Sequence, residues 1–94
     1  MSNPSGPVVL DVRTPAEYAL GHLDGAQLLD FNGGDFHLAV PTLDPDADYL
    51  LYCRSGARSR HAAAILLDAG FARATNLGSL NDAAEATGLP IVVD

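Results

Sequence analysis

Two short runs, Val8-Val9-Leu10-Asp11-Val12 and Tyr49-Leu50-Leu51-Tyr52-Cys53, constrain the fold more than any other feature of this sequence. Each is apolar almost throughout instead of alternating with polar residues. That is how a strand reads when both of its faces are covered, as in a parallel sheet packed between helices. Helix signals lie between and after the runs. Thr14-Pro15-Ala16-Glu17 offers a capping threonine, a proline suited to the first helical position and a glutamate three residues after the cap. Gly21 ends that helix within two turns. A second helix is expected from about Ser59 to Ala69, with an apolar side of Ala62, Ala63, Ile65 and Leu66, closed by Gly70. A third is expected from Ser79, its candidate cap, to Gly88.

Weaker strands are read at Gly25–Leu29 and Ala74–Leu77, and a terminal one at Ile91–Val93. Residues 30–48 read as loop with a short helix around Phe36–Val40. Strands alternating with helices give an α/β class, an open and mostly parallel sheet of four or five strands with helices on both faces. Residues 1–7 are expected to be a flexible tail and 8–94 a single domain.

A 94-residue chain buries only a modest core. Its 48% hydrophobic and 18% charged residues nevertheless place it among globular chains, away from disordered ones. The net charge of -7 sets the overall field against nucleic acid and anionic membranes. Every cation is an arginine, and Arg54, Arg58 and Arg60 crowd one short segment. With one cysteine no internal disulfide forms. Met1–Pro7 lacks the basic and apolar regions of a signal peptide, and no apolar run is long enough to span a bilayer. A reducing cytoplasm is the expected compartment.

The chemistry concentrates at Cys53-Arg54-Ser55-Gly56-Ala57-Arg58-Ser59. Cys53 ends a buried strand, and ligands of open parallel sheets bind beyond the carboxyl ends of the strands. The turn that follows leads into a helix N-terminus, so converging N–H groups, the helix dipole and two arginines all favour thiolate over thiol. Such surroundings bring a cysteine from roughly 8.5 down to about 3.5–7.5. A lone cysteine is more often a small buried hydrophobe. Gly56, the flanking arginines and the helix turn the reading here towards a nucleophile.

That segment resembles the active-site loop of rhodaneses. Leu10–Tyr18 is similar to the family's "DVR…EY" stretch, Gly21-His22-Leu23-Asp24-Gly25-Ala26 to its "GHIPGA" stretch, and Leu67–Phe71 to the "L…GF" helix end. Together these cover about residues 8–80. The resemblance implies a sulfurtransferase that takes sulfane sulfur from thiosulfate or a similar donor onto Cys53 as a persulfide. A thiophilic acceptor, cyanide or a small-molecule or protein thiol, then receives it. It implies that the backbone N–H groups of Arg54, Ser55, Gly56, Ala57 and Arg58 cradle the sulfur. Arg58 closes the loop and favours anionic donors, and Arg54 docks a sulfonate or thiosulfonate oxygen. It implies no metal or organic cofactor. The chemical logic agrees: a two-step covalent route needs an activated thiolate and fixed donors around a developing anion.

Two other readings stand beside it. Cysteine phosphatases space cysteine and arginine by five residues; here that position is Ser59, with arginines one short and one beyond. A non-catalytic rhodanese-like protein-interaction module would need neither the cysteine nor the basic loop. The chain also departs from the family. It starts almost at the "DVR" strand, leaving a sheet edge open to a weak homodimer or to repair by the terminal strand, with a monomer otherwise. The usual "GG" and tryptophan after the last strand are replaced by Gly78-Ser79-Leu80-Asn81-Asp82. Asp11 with Arg13 reads as a structural hydrogen-bonded pair, with a place at the border of the pocket as the other reading. His22, His37 and His61 lack metal-like spacing. Arg60 is expected to face solvent, and Asp44, Asp46 and Asp48 to form a solvated loop.

Overall fold

A computed structural model describes residues 6–93. The expected tail therefore lies, for residues 1–5, outside the described residues. The chain runs β1 (Val8–Asp11), α1 (Pro15–Leu20), β2 (His22–Leu23), β3 (Gln27–Leu28) and α2 (Asp35–Ala39). A short 3-10 turn at Val40–Thr42 follows, then β4 (Asp48–Cys53), α3 (Ala57–Asp68), β5 (Arg73–Ser79), α4 (Leu80–Thr87) and β6 (Ile91–Val92). Four strands form a wholly parallel sheet in the order β3-β1-β4-β5. β2 and β6 pair antiparallel in a separate ribbon. No helix among the described residues is long and apolar enough to cross a membrane.

The unbroken apolar runs have the expected cause. Successive residues of a strand face opposite sides, and here both sides are covered. Leu10, Leu51 and Cys53 pack with Phe36, Ala62, Ala63 and Leu66 on the α2–α3 face. Val9 and Tyr52 pack with Leu23 and Ala83 on the other, alongside Leu50, Leu77 and Leu89.

Local signals set the helix ends. The Thr14 side chain accepts from the Glu17 N–H while Glu17 accepts from the Thr14 N–H, a complete capping box. Ser79 and Asp82 repeat it at α4, and Gly88 ends that helix in a left-handed conformation. At the end of α3 the Gly70 N–H bonds the Leu67 carbonyl and the Phe71 N–H bonds the Leu66 carbonyl. These are the paired bonds of a Schellman ending.

Several boundaries differ from expectation: the strand at Ala74–Leu77 extends to Arg73–Ser79 and the terminal one ends at Val92. α3 starts at Ala57, two residues earlier than the polar turn suggested, because Gly56 at φ 98° turns the chain directly into the helix. The weak strand expected at Gly25–Leu29 shortens to Gln27–Leu28, and an unexpected one appears at His22–Leu23. That strand exists only through its partner near the other end of the chain, so nothing local announces it.

One irregularity bears on the site. β4 and β5 pair Leu51 with Asn76 and Tyr52 with Gly78, leaving Leu77 as an extra residue. Gly78, at φ 96°, takes the conformation this bulge needs.

Candidate active site

β1 and β4 lie side by side, Asp11 opposite Tyr52, so the turns that leave them are neighbours. The first is held by side chains. The Arg13 guanidinium donates to both oxygens of Asp11, its closest contact being Nη2 to Oδ2 at 2.7 Å, and also to the Gly21 carbonyl. The Tyr52 hydroxyl donates to Asp11 Oδ2 at 2.7 Å and accepts the Leu23 N–H. All three side chains are buried. Burial and the Asp11 carboxylate both push the Tyr52 hydroxyl above its ordinary range. The Asp11–Arg13 pair is thus the expected hydrogen-bonded pair, and Arg13 also borders a cavity.

The second turn has no such side-chain frame. Gly56 is the N-cap of α3 and carries no side chain to satisfy the helix's first amides. Its own N–H points at Cys53 Sγ, 2.9 Å away, and the Ser59 hydroxyl lies 3.4 Å from the same sulfur. Cys53 is fully buried. Burial is the largest influence on the thiol and raises its pKa. The Ser59 hydroxyl and the amides of Ser59, Gly56 and Ser55 together outweigh burial, and the pKa falls below its ordinary value. The amides face the sulfur although Cys53 belongs to the apolar cluster of Leu10, Leu51 and Leu66. The arrangement can hold a thiolate, or a terminal anionic sulfur in its place.

Close packing fixes this turn. A Cβ on Gly56 would sit 3.2 Å from the Gly78 Cα. The bulge of β5 and the cysteine turn therefore touch backbone to backbone.

The other expected site residues fall at different distances from the sulfur. Arg54, Ser55 and Ala57 are exposed. Arg54 lines a cavity of about 290 Å³ together with Arg13, Glu17 and Leu20. Arg58 is engaged elsewhere: its guanidinium forms a two-bond contact with the Glu17 carboxylate, at 2.9 and 3.1 Å. That guanidinium, aided by the Thr14 N–H, holds Glu17 down to about 2 against partial burial. Glu17 raises Arg58 in turn. One glutamate thus caps α1 and ties α3 to it.

Residues outside the expected set complete the site. Ser59, the expected helix start, is fully buried. Carrying the apolar stripe of α3 back from Leu66, Ala63 and Ala62 at helical spacing reaches Ser59 and would have found it. Asn76, which donates from Nδ2 to the Gly56 carbonyl at 3.1 Å, has no such local signal. The histidines are held against aromatic rings. His22 stacks on Tyr18, and His37 and His61 lie against Phe31. Among the described residues no cluster of three or more His, Cys, Asp or Glu side chains is placed to hold a metal. Arg60, Asp44 and Asp46 are exposed, but Asp48 opens β4 and is half-buried, so it is not part of a solvated loop.

Residues 1–85 match the family described as Rhodanese-like domain. A sulfurtransferase from Allochromatium vinosum is 39% identical over 85 residues, covering 90% of this chain and 78% of that protein. The thiosulfate sulfurtransferase GlpE of Ectopseudomonas mendocina is 37% identical over 73 residues, covering 78% of this chain and 65% of that one. Among solved structures, a rhodanese with anions from E. coli superposes with a TM-score of 0.77 at 27% identity, covering 95% of this chain and 100% of that chain.

Proposed function

The chain belongs to the rhodanese-like family, and from that premise we propose that it is a thiosulfate sulfurtransferase with Cys53 as the sulfur carrier. The observation that carries the reading is the Gly56 N–H at 2.9 Å from Sγ, with the Ser59 hydroxyl behind it. A strand end that only packed a small hydrophobe would have no cause to aim donors at sulfur.

The Cys53 thiolate attacks the outer sulfur of thiosulfate. A new S–S bond forms, the S–S bond of the donor breaks, and sulfite leaves with its electron pair. A thiophile then attacks the outer sulfur of the persulfide. With cyanide a C–S bond forms, thiocyanate departs and the thiolate returns to its amides. Both steps place negative charge on a sulfur that fixed donors already surround, so little reorganisation is needed.

Arg54, exposed at the cavity beside the turn, is the docking group for the donor's oxygens. Cys53 offers no surface of its own, so the donor reaches it only when the turn opens. The amides of Ser55 and Gly56 hold the sulfur, and Ala57 and Arg58 set the turn that aims them. Arg58 contributes its field while Glu17 fixes its position. We also propose residues 8–94 as one domain acting in the cytoplasm.

Intact mass spectrometry after incubation with thiosulfate tests the reading. The protein is expected to gain the mass of one sulfur atom, to lose it on addition of cyanide, and not to gain it in a Cys53→Ser variant. An unchanged mass across thiosulfate, a persulfide donor and a thiosulfonate overturns the reading in favour of a protein-binding module.

A further inference from the structure

The Ser59 hydroxyl has one proton and two acceptors within reach. Asn76 Oδ1 lies 2.6 Å away and Cys53 Sγ 3.4 Å away. A hydroxyl donates once but accepts twice, so these contacts cannot both be donations at the same moment. At 2.6 Å the contact to Asn76 is at the short, strong end of the O–H···O range. The orientation of the amide is fixed independently. Asn76 Oδ1 also accepts the Gly78 N–H at 2.9 Å, and Nδ2 donates to the Gly56 carbonyl at 3.1 Å. Exchanging O and N would set donor against donor on one side and acceptor against acceptor on the other.

Two charge states of the sulfur therefore call for two settings of one proton. An uncharged thiol can donate to Ser59 Oγ while Ser59 donates to Asn76. A thiolate needs donors, and the hydroxyl can rotate to supply one. Asn76 Oδ1 is not stranded when this happens, because the Gly78 N–H stays with it. The bulge that brings Gly78 beside Asn76 makes the change cheap.

Resting on the reading of Cys53 as sulfur carrier, we infer that Asn76 is a positioning residue acting through Ser59. It holds the Ser59 proton while the sulfur is uncharged and releases it to Sγ when the thiolate forms. The Ser59–Asn76 pair is thus a reserve donor, committed to the sulfur only in the charged state that attacks and leaves.

Arg54, next to Cys53 in the chain, is exposed. Arg58 of α3 feels the sulfur's charge but has its own opposed by Glu17 of α1. The Asp11–Arg13 pair closes on itself at the end of β1. On the β5–α4 side Asp82 is occupied in capping Ser79.

The test is the pH dependence of Cys53 alkylation by iodoacetamide. It needs no sulfur donor, so it succeeds or fails separately from the mass measurement. Ser59→Ala keeps the packing, removes the donor and is expected to raise the midpoint by about one unit. Ser59→Thr keeps a hydroxyl and is expected to hold the wild-type midpoint. Asn76→Ala removes the competing acceptor, leaves the proton to the sulfur and is expected to lower the midpoint by about half a unit. If Asn76 only braced the turn, its loss would loosen the amides and raise the midpoint instead. An unchanged or raised midpoint in Asn76→Ala overturns the inference. So does a lowering that persists when Asn76→Ala is made in the Ser59→Ala background.

Discussion

Two neighbouring strand-to-helix turns at the carboxyl end of the sheet, after Asp11 and after Cys53, differ in what meets the first amides of the helix. At α1 the Thr14 and Glu17 side chains take them up in a capping box, and the Asp11–Arg13–Tyr52 network fills the space behind. At α3 the N-cap is a glycine, no side chain caps the helix, and a sulfur stands where a capping oxygen would be. The same strand–turn–helix unit is closed in one copy and left chemically unfinished in the other. The difference lies in a few side chains, not in the backbone plan.

The largest effect should come from breaking the closed turn. Asp11→Ala leaves the Arg13 guanidinium buried without its carboxylate. Loss of one partner of such a pair costs about 3–5 kcal/mol, a large share of the stability of a domain this small. Urea denaturation should show that loss. If the variant kept its stability and lost only cysteine reactivity, the division between a structural turn and a chemical one would fail.

A smaller effect on stability, with a larger one on chemistry, is expected from Gly56→Ala. A side chain at φ 98° costs about 1–2 kcal/mol, and its Cβ would press on the Gly78 Cα. Displacing the N–H from Sγ should slow alkylation of Cys53 near neutral pH by roughly tenfold or more, since a hydrogen bond to a charged group is worth about 1.5–3 kcal/mol. Unaltered reactivity would show that the amide does not matter to the sulfur.

The smallest effect concerns the link between the turns. Glu17 titrates at about 2, well below an ordinary glutamate, chiefly because of Arg58. Its folded-state pKa is depressed, so the stabilisation is present above the ordinary carboxylate range and is lost as pH falls towards about 2. The pair is partly exposed, which limits it to about 1 kcal/mol or less. The difference in thermal midpoint between wild type and Glu17→Gln should therefore be constant above about pH 5 and shrink as the acid is titrated. A difference independent of pH would mean that Glu17 acts through capping and packing alone.

Much of this was legible in the sequence because it is local. Thr14, Pro15 and Glu17 announce α1 within four residues, and Ser79 and Gly88 bound α4 in the same way. The strands bearing Leu10 and Leu51 declare themselves as apolar runs, and Cys53 is found by standing at the end of one. What stayed hidden depends on partners far along the chain. β2 is defined by β6, Arg58 by a glutamate 41 residues earlier, and the role of Asn76 by a bulge that only sheet pairing reveals. Ser59 lay between the two cases. Its burial follows from helical spacing, but its bond to Asn76 depends on sheet pairing.

The complete burial of Cys53 also governs how the protein ages. Joining two chains through their cysteines requires the sulfurs to approach to about 2.05 Å, and a thiol without accessible surface cannot meet its counterpart on another folded copy. Oxygenated storage should therefore leave the chains uncoupled, despite a sulfur tuned for reactivity. On the proposed function, a sulfur atom bound to Cys53 would lengthen that side chain by about the same distance, bringing the transferable atom nearer to an acceptor than the cysteine itself.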